Sequence, residues 1–95
     1  MSKRYVVEDI NDKKSHFVGK NIFLNGTINL KSSGINICSN TGDECIPIEA
    51  SIEIYESLKR LDQESVNLQG RYMEHTFSDD GMSFSPSRFV ISKIL

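Results

Sequence analysis

The stretch Val18-Gly-Lys-Asn-Ile-Phe-Leu-Asn-Gly-Thr-Ile-Asn-Leu30 decides how this chain folds. From Ile22 it alternates: Ile22, Leu24, Gly26, Ile28 and Leu30 fall on one side, Asn21, Phe23, Asn25, Thr27 and Asn29 on the other. Side chains on a strand swap faces at every residue, so the pattern predicts one long strand, apolar on one face and polar on the other. Gly26 lies mid-strand on the apolar face. A glycine there leaves room for sharp coiling or a bulge, which a strand needs if it is to serve two sheets of a small closed barrel.

Downstream, Lys31-Ser-Ser-Gly34 has the composition of a turn. Ile35-Asn-Ile-Cys38 and Glu44-Cys-Ile-Pro-Ile-Glu49 then flank Asn40-Thr-Gly-Asp43. A hairpin looped at those four residues sets Cys38 opposite Cys45, Ile37 opposite Ile46 and Ile35 opposite Ile48. The isoleucines then share one face and the cysteines the other. Pro47 lacks an N–H, which places it at an edge or a bulge. Ser51 caps a helix of about ten residues, with Glu53 near its positive end and Ile54, Leu58 and Leu61 at helical spacing. Ser65-Val-Asn-Leu-Gln-Gly-Arg-Tyr72 alternates again, and Asp80-Gly81 is a strong hairpin signal. A turn centred there pairs Tyr72 with Phe89, Gly70 with Ile91, and Phe77 with Phe84 on the opposite face. Pro86 falls opposite His75. Residues 3–17 hold an apolar patch (Tyr5, Val6, Val7, Ile10) that fits a short strand and a helical turn equally well.

Long strand, strand, strand, short helix, strand, strand: over residues 17–95 this order resembles the oligonucleotide/oligosaccharide-binding (OB) fold, a five-stranded barrel with a helix between its third and fourth strands. The expectation is a mainly β single domain over 1–95, with 1–16 as an N-terminal extension and 17–95 as the barrel. The resemblance implies binding along the face of the second and third strands, here Asn36, Cys38, Cys45 and Pro47, flanked by loops at 31–34 and 75–83. It carries no motif that assigns a role to an individual residue.

The chain has 95 residues with 38% hydrophobic and 25% charged, which suits one soluble globular domain. A net charge of −2 argues against a broad electrostatic grip on phosphates or anionic lipid, leaving only a local basic patch open. No apolar run is long enough to span a membrane. The opening Met-Ser-Lys-Arg-Tyr-Val-Val-Glu-Asp lacks the apolar core of a signal peptide, so the chain reads as cytoplasmic. In that compartment Cys38 and Cys45 are expected as reduced thiols, and in an oxidising one as a cross-strand disulfide.

Catalysis finds little support. His75 near Asp79 or Asp80 lies in a polar loop with no placed nucleophile, and no Gly-rich phosphate loop precedes a helix. His16 and His75 are far from the cysteines, and their spacing matches no zinc motif. No enzyme, cofactor or metal is expected. Phe77, Phe84 and Met82, rimmed by Asp79 and Asp80, have the make-up of a protein-binding hot spot that prefers a basic protein partner, although paired aromatics also stabilise hairpins on their own. The alternative is single-stranded nucleic acid, for which Phe23, Lys31, Asn36, Arg71 and Arg88 are the usable aromatic, amide and cationic groups. The chain is expected as a monomer or a dimer paired through strand edges.

Overall fold

A computed structural model describes residues 3–32, 34–77 and 84–95 of the chain. It enters through a short strand, Arg4–Val6 (β1), and two helical turns, Val7–Asp12 (α1) and Lys14–Phe17 (α2). The patch that fits both periods is used in both ways. Val6 belongs to β1, while Val7 and Ile10, three apart and so on one face of α1, are completely buried. The turn is held open-side by Asp9, whose Oδ2 accepts from the Val6 N–H at 3.0 Å. Phe17 is buried with its ring edge-on to Tyr5 at 4.9 Å. Of the three helices among the described residues, α1 lies within the 1–16 read as an extension and α2 runs one residue past it, and Val7 and Ile10 of that segment fill part of the core.

The long strand is present as Asn21–Lys31 (β2). Gly34–Cys38 (β3), Cys45–Glu49 (β4), the helix Ile52–Lys59 (α3), Ser65–Met73 (β5), Thr76–Phe77 (β6), Phe84–Ser85 (β7) and Arg88–Ile94 (β8) follow. β2 serves three partners. Asn21 to Thr27 pair antiparallel with β5, and Thr27 to Lys31 pair antiparallel with β3, so Thr27 is shared between Ser65 and Cys38. On the side that β3 leaves open, β1 lies parallel to Phe23, Leu24 and Asn25. β4 pairs with β3, and β8 joins β4 in parallel and β5 antiparallel, which closes a ring of five strands in the order β2, β3, β4, β8, β5.

Gly26 allows the strands to cross closely. A Cβ there would stand 2.6 Å from Cγ1 of Ile37 and 2.7 Å from the Cys38 carbonyl oxygen. The pairing register runs unbroken through it. The irregularity lies instead in β5, where the register with β8 shifts between Gln69 and Gly70, and a Cβ on Gly70 would fall on the Val90 carbonyl. Pro47 faces Asn36 on β3, and the parallel pairing of β4 with β8 begins only at Ile48, past the missing N–H.

The ring is filled by the inward residues of its strands, among them Leu24, Ile28, Ile37, Leu68, Tyr72 and Phe89. Leu30, read as an inward residue, lies where β2 runs past the core and is 41% exposed. α3 contributes Leu58, fully buried, and is capped by Ser51, whose Oγ accepts from the Ile54 N–H at 3.3 Å. The turn after it is stitched to β2: Gln63 N–H donates to the Ile28 carbonyl at 2.7 Å and Ile28 N–H to the Glu64 carbonyl at 3.0 Å. Far along β5, Gly19 N–H donates to the Tyr72 carbonyl at 2.9 Å. The N-terminal segment thus meets one end of the ring and the α3 segment the other.

Candidate functional site

β5 and β8 run on past the ring as a ribbon. β6 and β7 form a two-stranded sheet of their own, with Thr76 opposite Ser85 and Phe77 opposite Phe84. These are the pairs expected from a turn at Asp80-Gly81, and Tyr72 with Phe89 and Gly70 with Ile91 complete the same register. Asp79, Asp80 and Met82 lie outside the described residues.

Arg88 ties the ribbon to the ring. Its Nη1 donates to the carbonyls of Glu74 and Pro86, one on each arm, both at 3.3 Å, and its Nε donates to Glu49 Oε1 on β4 at 3.2 Å. The Arg88 side chain is only 19% exposed. This arginine, grouped with nucleic-acid contacts from the sequence, braces the hairpin base in the structure.

The five candidate nucleic-acid residues divide. Lys31 pairs with Gly34, and Asn36 lies between Asn29 and Pro47, both on the β3 side of β2. Phe23 and Arg71 lie on the β5 side. Phe23 is half-buried on the outer face, with Arg4 of β1 on one flank and Gln69 of β5 on the other, and Lys93 of β8 beyond Gln69. The next row across the same face is Asn21, Arg71, Val90 and Glu49. Lys20 adjoins Asn21 in a cleft of about 440 Å³ that also takes in Phe23 and Tyr5. Arg4, Lys20, Arg71 and Lys93 therefore share a face whose acid, Glu49, is already paired to Arg88. Asp9 and Asp12 line the adjoining cleft, which shares Tyr5, while other acids lie elsewhere: Asp43 and Glu44 between β3 and β4, and Glu53, Glu56, Asp62 and Glu64 on and after α3. Arg4, Lys20 and Lys93 escape a reading of local pattern because only pairing between distant strands unites them.

Beside this basic face lies an uncharged one. Asn25 Nδ2 donates to Asn67 Oδ1 at 3.0 Å and to the Val66 carbonyl at 3.2 Å, Asn40 Nδ2 donates to Asn25 Oδ1 at 3.1 Å, and Thr27 Oγ1 donates to Asn40 Oδ1 at 3.0 Å. These bonds hold the loop after β3 against β2. At its base Cys38 and Cys45, directly opposed as expected, are joined by a disulfide, whereas the cytoplasmic reading expects reduced thiols. Direct cross-strand pairing brings the two Cβ atoms close enough for the bond.

Among the described residues no three His, Cys, Asp or Glu side chains are grouped to hold a metal ion, and no helix is long and apolar enough to cross a membrane. Comparison with protein-family models, with curated proteins and with solved structures finds no match.

Proposed function

We propose that this is a non-catalytic binding protein built on an OB-type barrel, and that it acts by protein–protein contact. In this reading it is an accessory, inhibitor or immunity-type protein that engages a basic partner. The strand order of the ring and the position of α3 between its third and fourth strands support the OB assignment. The observation that carries the functional reading is the β6–β7 ribbon. It stands outside the main sheet, sets Phe77 opposite Phe84, and is braced at its base by Arg88. A braced ribbon is pre-organised, which lowers the ordering cost of docking. Asp79 and Asp80, which lie in sequence between the two strands, attract a basic surface over long range and speed encounter. Fold alone does not supply this role, and the analogy to small acidic antagonists of nucleases rests on charge and size.

The test is an affinity pull-down with the intact chain. One basic protein should be retained, and it should be lost on Phe84→Ala and on the double change Asp79→Lys with Asp80→Lys. Retention unaffected by either variant would sink the proposal.

A second reading, single-stranded nucleic acid, is favoured by one observation: Phe23 lies on a face with Arg4, Lys20, Arg71 and Lys93. Micromolar binding of a labelled oligonucleotide, weakening steeply with salt and lost on Phe23→Ala, would support it over the first.

A further inference from the structure

A cleft of about 520 Å³ runs along the outer face of β5 and β8 where the hairpin leaves the ring. Its walls are Arg71, Met73, Val90 and Ser92, with Asn21 at one end and the Glu49–Arg88 pair at the other. Gly70 also lines it, and that position stays glycine because a Cβ would collide with the Val90 carbonyl. Met73 and Val90 are half-buried and supply apolar surface, while Arg71 is exposed. The two cations here differ. Arg88 is neutralised by Glu49, whereas Arg71 makes no hydrogen bond or ion pair among the described residues. Its neighbours across the strands are Asn21 and Val90, both uncharged, and Glu49 is two strands away, on the order of 10 Å at the usual strand spacing.

A guanidinium without a partner among the described residues, beside the apolar surface of Met73 and Val90, matches a carboxylate carried on an apolar body, which the planar fork can hold through two parallel hydrogen bonds. The ring interior is filled by side chains, so among the described residues no tunnel leads inward for a long hydrocarbon tail. A cleft of this volume lying along a sheet suits a few residues of extended polypeptide.

We propose that this cleft receives a short apolar segment of a protein partner bearing one glutamate or aspartate, whose carboxylate is held by Arg71. The inference rests on the protein-contact reading above and adds to it. The partner, basic where it meets Asp79 and Asp80, carries an acidic residue flanked by aliphatic ones where it meets the base of the ribbon.

The experiment uses the whole chain, labelled with ¹⁵N, and three probes: acetyl-Leu-Glu-Leu-amide, acetyl-Leu-Gln-Leu-amide and sodium octanoate. Such short peptides bind in the millimolar range, within reach of amide-shift titration. The Glu peptide should move the amide signals of Arg71, Met73, Val90 and Ser92 in a saturable way. The Gln peptide should bind at least fivefold more weakly. Arg71→Glu should abolish the effect, and Arg71→Lys, which keeps the charge without the fork, should weaken it several-fold. Because Arg71 is exposed, both variants should keep the dispersed spectrum of the parent, which the same data check. Equal binding of the Glu and Gln peptides, or binding indifferent to Arg71→Glu, would overturn the proposal. So would octanoate binding more tightly than the Glu peptide, which assigns the cleft to free acids, or oligothymidylate shifting the same amides at lower concentration, which assigns it to nucleic acid. None of these outcomes depends on the hairpin turn, so failure here and failure of the pull-down are separate results.

Discussion

Gly26 offers a test of how the ring closes. Changing it to alanine places a methyl group 2.6 Å from Cγ1 of Ile37 and 2.7 Å from the Cys38 carbonyl. The first obstacle is a side chain and can rotate; the second is backbone, locked in pairing with Thr27 and Cys45. Overpacking of this kind costs about 1–3 kcal/mol, offset by about 0.5–1 kcal/mol because alanine restricts the unfolded chain. The net loss is about 1–2 kcal/mol, equivalent to a melting temperature lower by about 5–15 °C for a domain of this size. Ile37→Ala alone should cost about 2–5 kcal/mol, because Ile37 is fully buried. Combined, the two changes should cost less than their sum by about 1 kcal/mol, since the truncated isoleucine vacates the space that the new methyl needs. Gly70→Ala is the control. Its obstacle is the Val90 carbonyl, which no side-chain truncation removes, so its loss should be larger and should add to that of Ile37→Ala. Urea denaturation of the five variants, monitored by circular dichroism, supplies all the terms. If Gly26→Ala and Ile37→Ala add to within about 0.3–0.5 kcal/mol, the close crossing of β2 and β3 is not what the glycine serves.

Ile10→Ala should lower the unfolding free energy by about 2–4 kcal/mol in the same assay, because α1 packs inside the core; a loss under about 1 kcal/mol would make the N-terminal segment a removable appendage. Reducing the Cys38–Cys45 bond reopens a loop with a sequence separation of 7 and should cost about 2.4 kcal/mol on the chain-entropy account, read as a lower denaturation midpoint in reductant. A midpoint indifferent to reductant would mean that the amide bonds of Asn40 and the backbone pairs already hold the loop.

The parts of the fold legible in sequence are those whose partners lie close along the chain. The pairings of Cys38 with Cys45, Tyr72 with Phe89 and Phe77 with Phe84 could be read because a hairpin's register follows from its turn and its alternation. The parallel contacts, β1 with β2 and β4 with β8, leave no such mark: their partners are far apart in sequence and joined by no turn. Tyr5 to Ile10 stayed ambiguous because strand and helix periods coincide over so few residues, and the chain uses both. Gly26 was legible as a special position, and the bulge lies at Gly70 instead. That site was not legible, since it depends on what each glycine meets across the ring. Of the candidate site, the hairpin was legible and the basic face was not. A net charge of −2 sums over the chain and says nothing about Arg4 and Lys93 standing in one cross-strand row.

The position of that face constrains how any partner is recognised. Core side chains fill the ring, and the N-terminal segment and α3 lie at its two ends, so recognition falls to the outer surface. The sequence puts two aspartates between β6 and β7 while the structure puts Arg71 on β5, and the β5–β8 and β6–β7 pairs share one register. These opposite charges act over different ranges. At physiological ionic strength screening sets in over about 8 Å, so the two aspartates mainly steer encounter, and added salt should lower the association rate. A carboxylate seated on Arg71 beside Met73 and Val90 is partly shielded from solvent and should govern dissociation, with weaker salt dependence. Asp79→Lys with Asp80→Lys should therefore act mainly on the association rate and Arg71→Glu mainly on the dissociation rate of the captured complex. If both variants changed only the association rate, the cleft would be a bystander and the two aspartates alone would carry recognition.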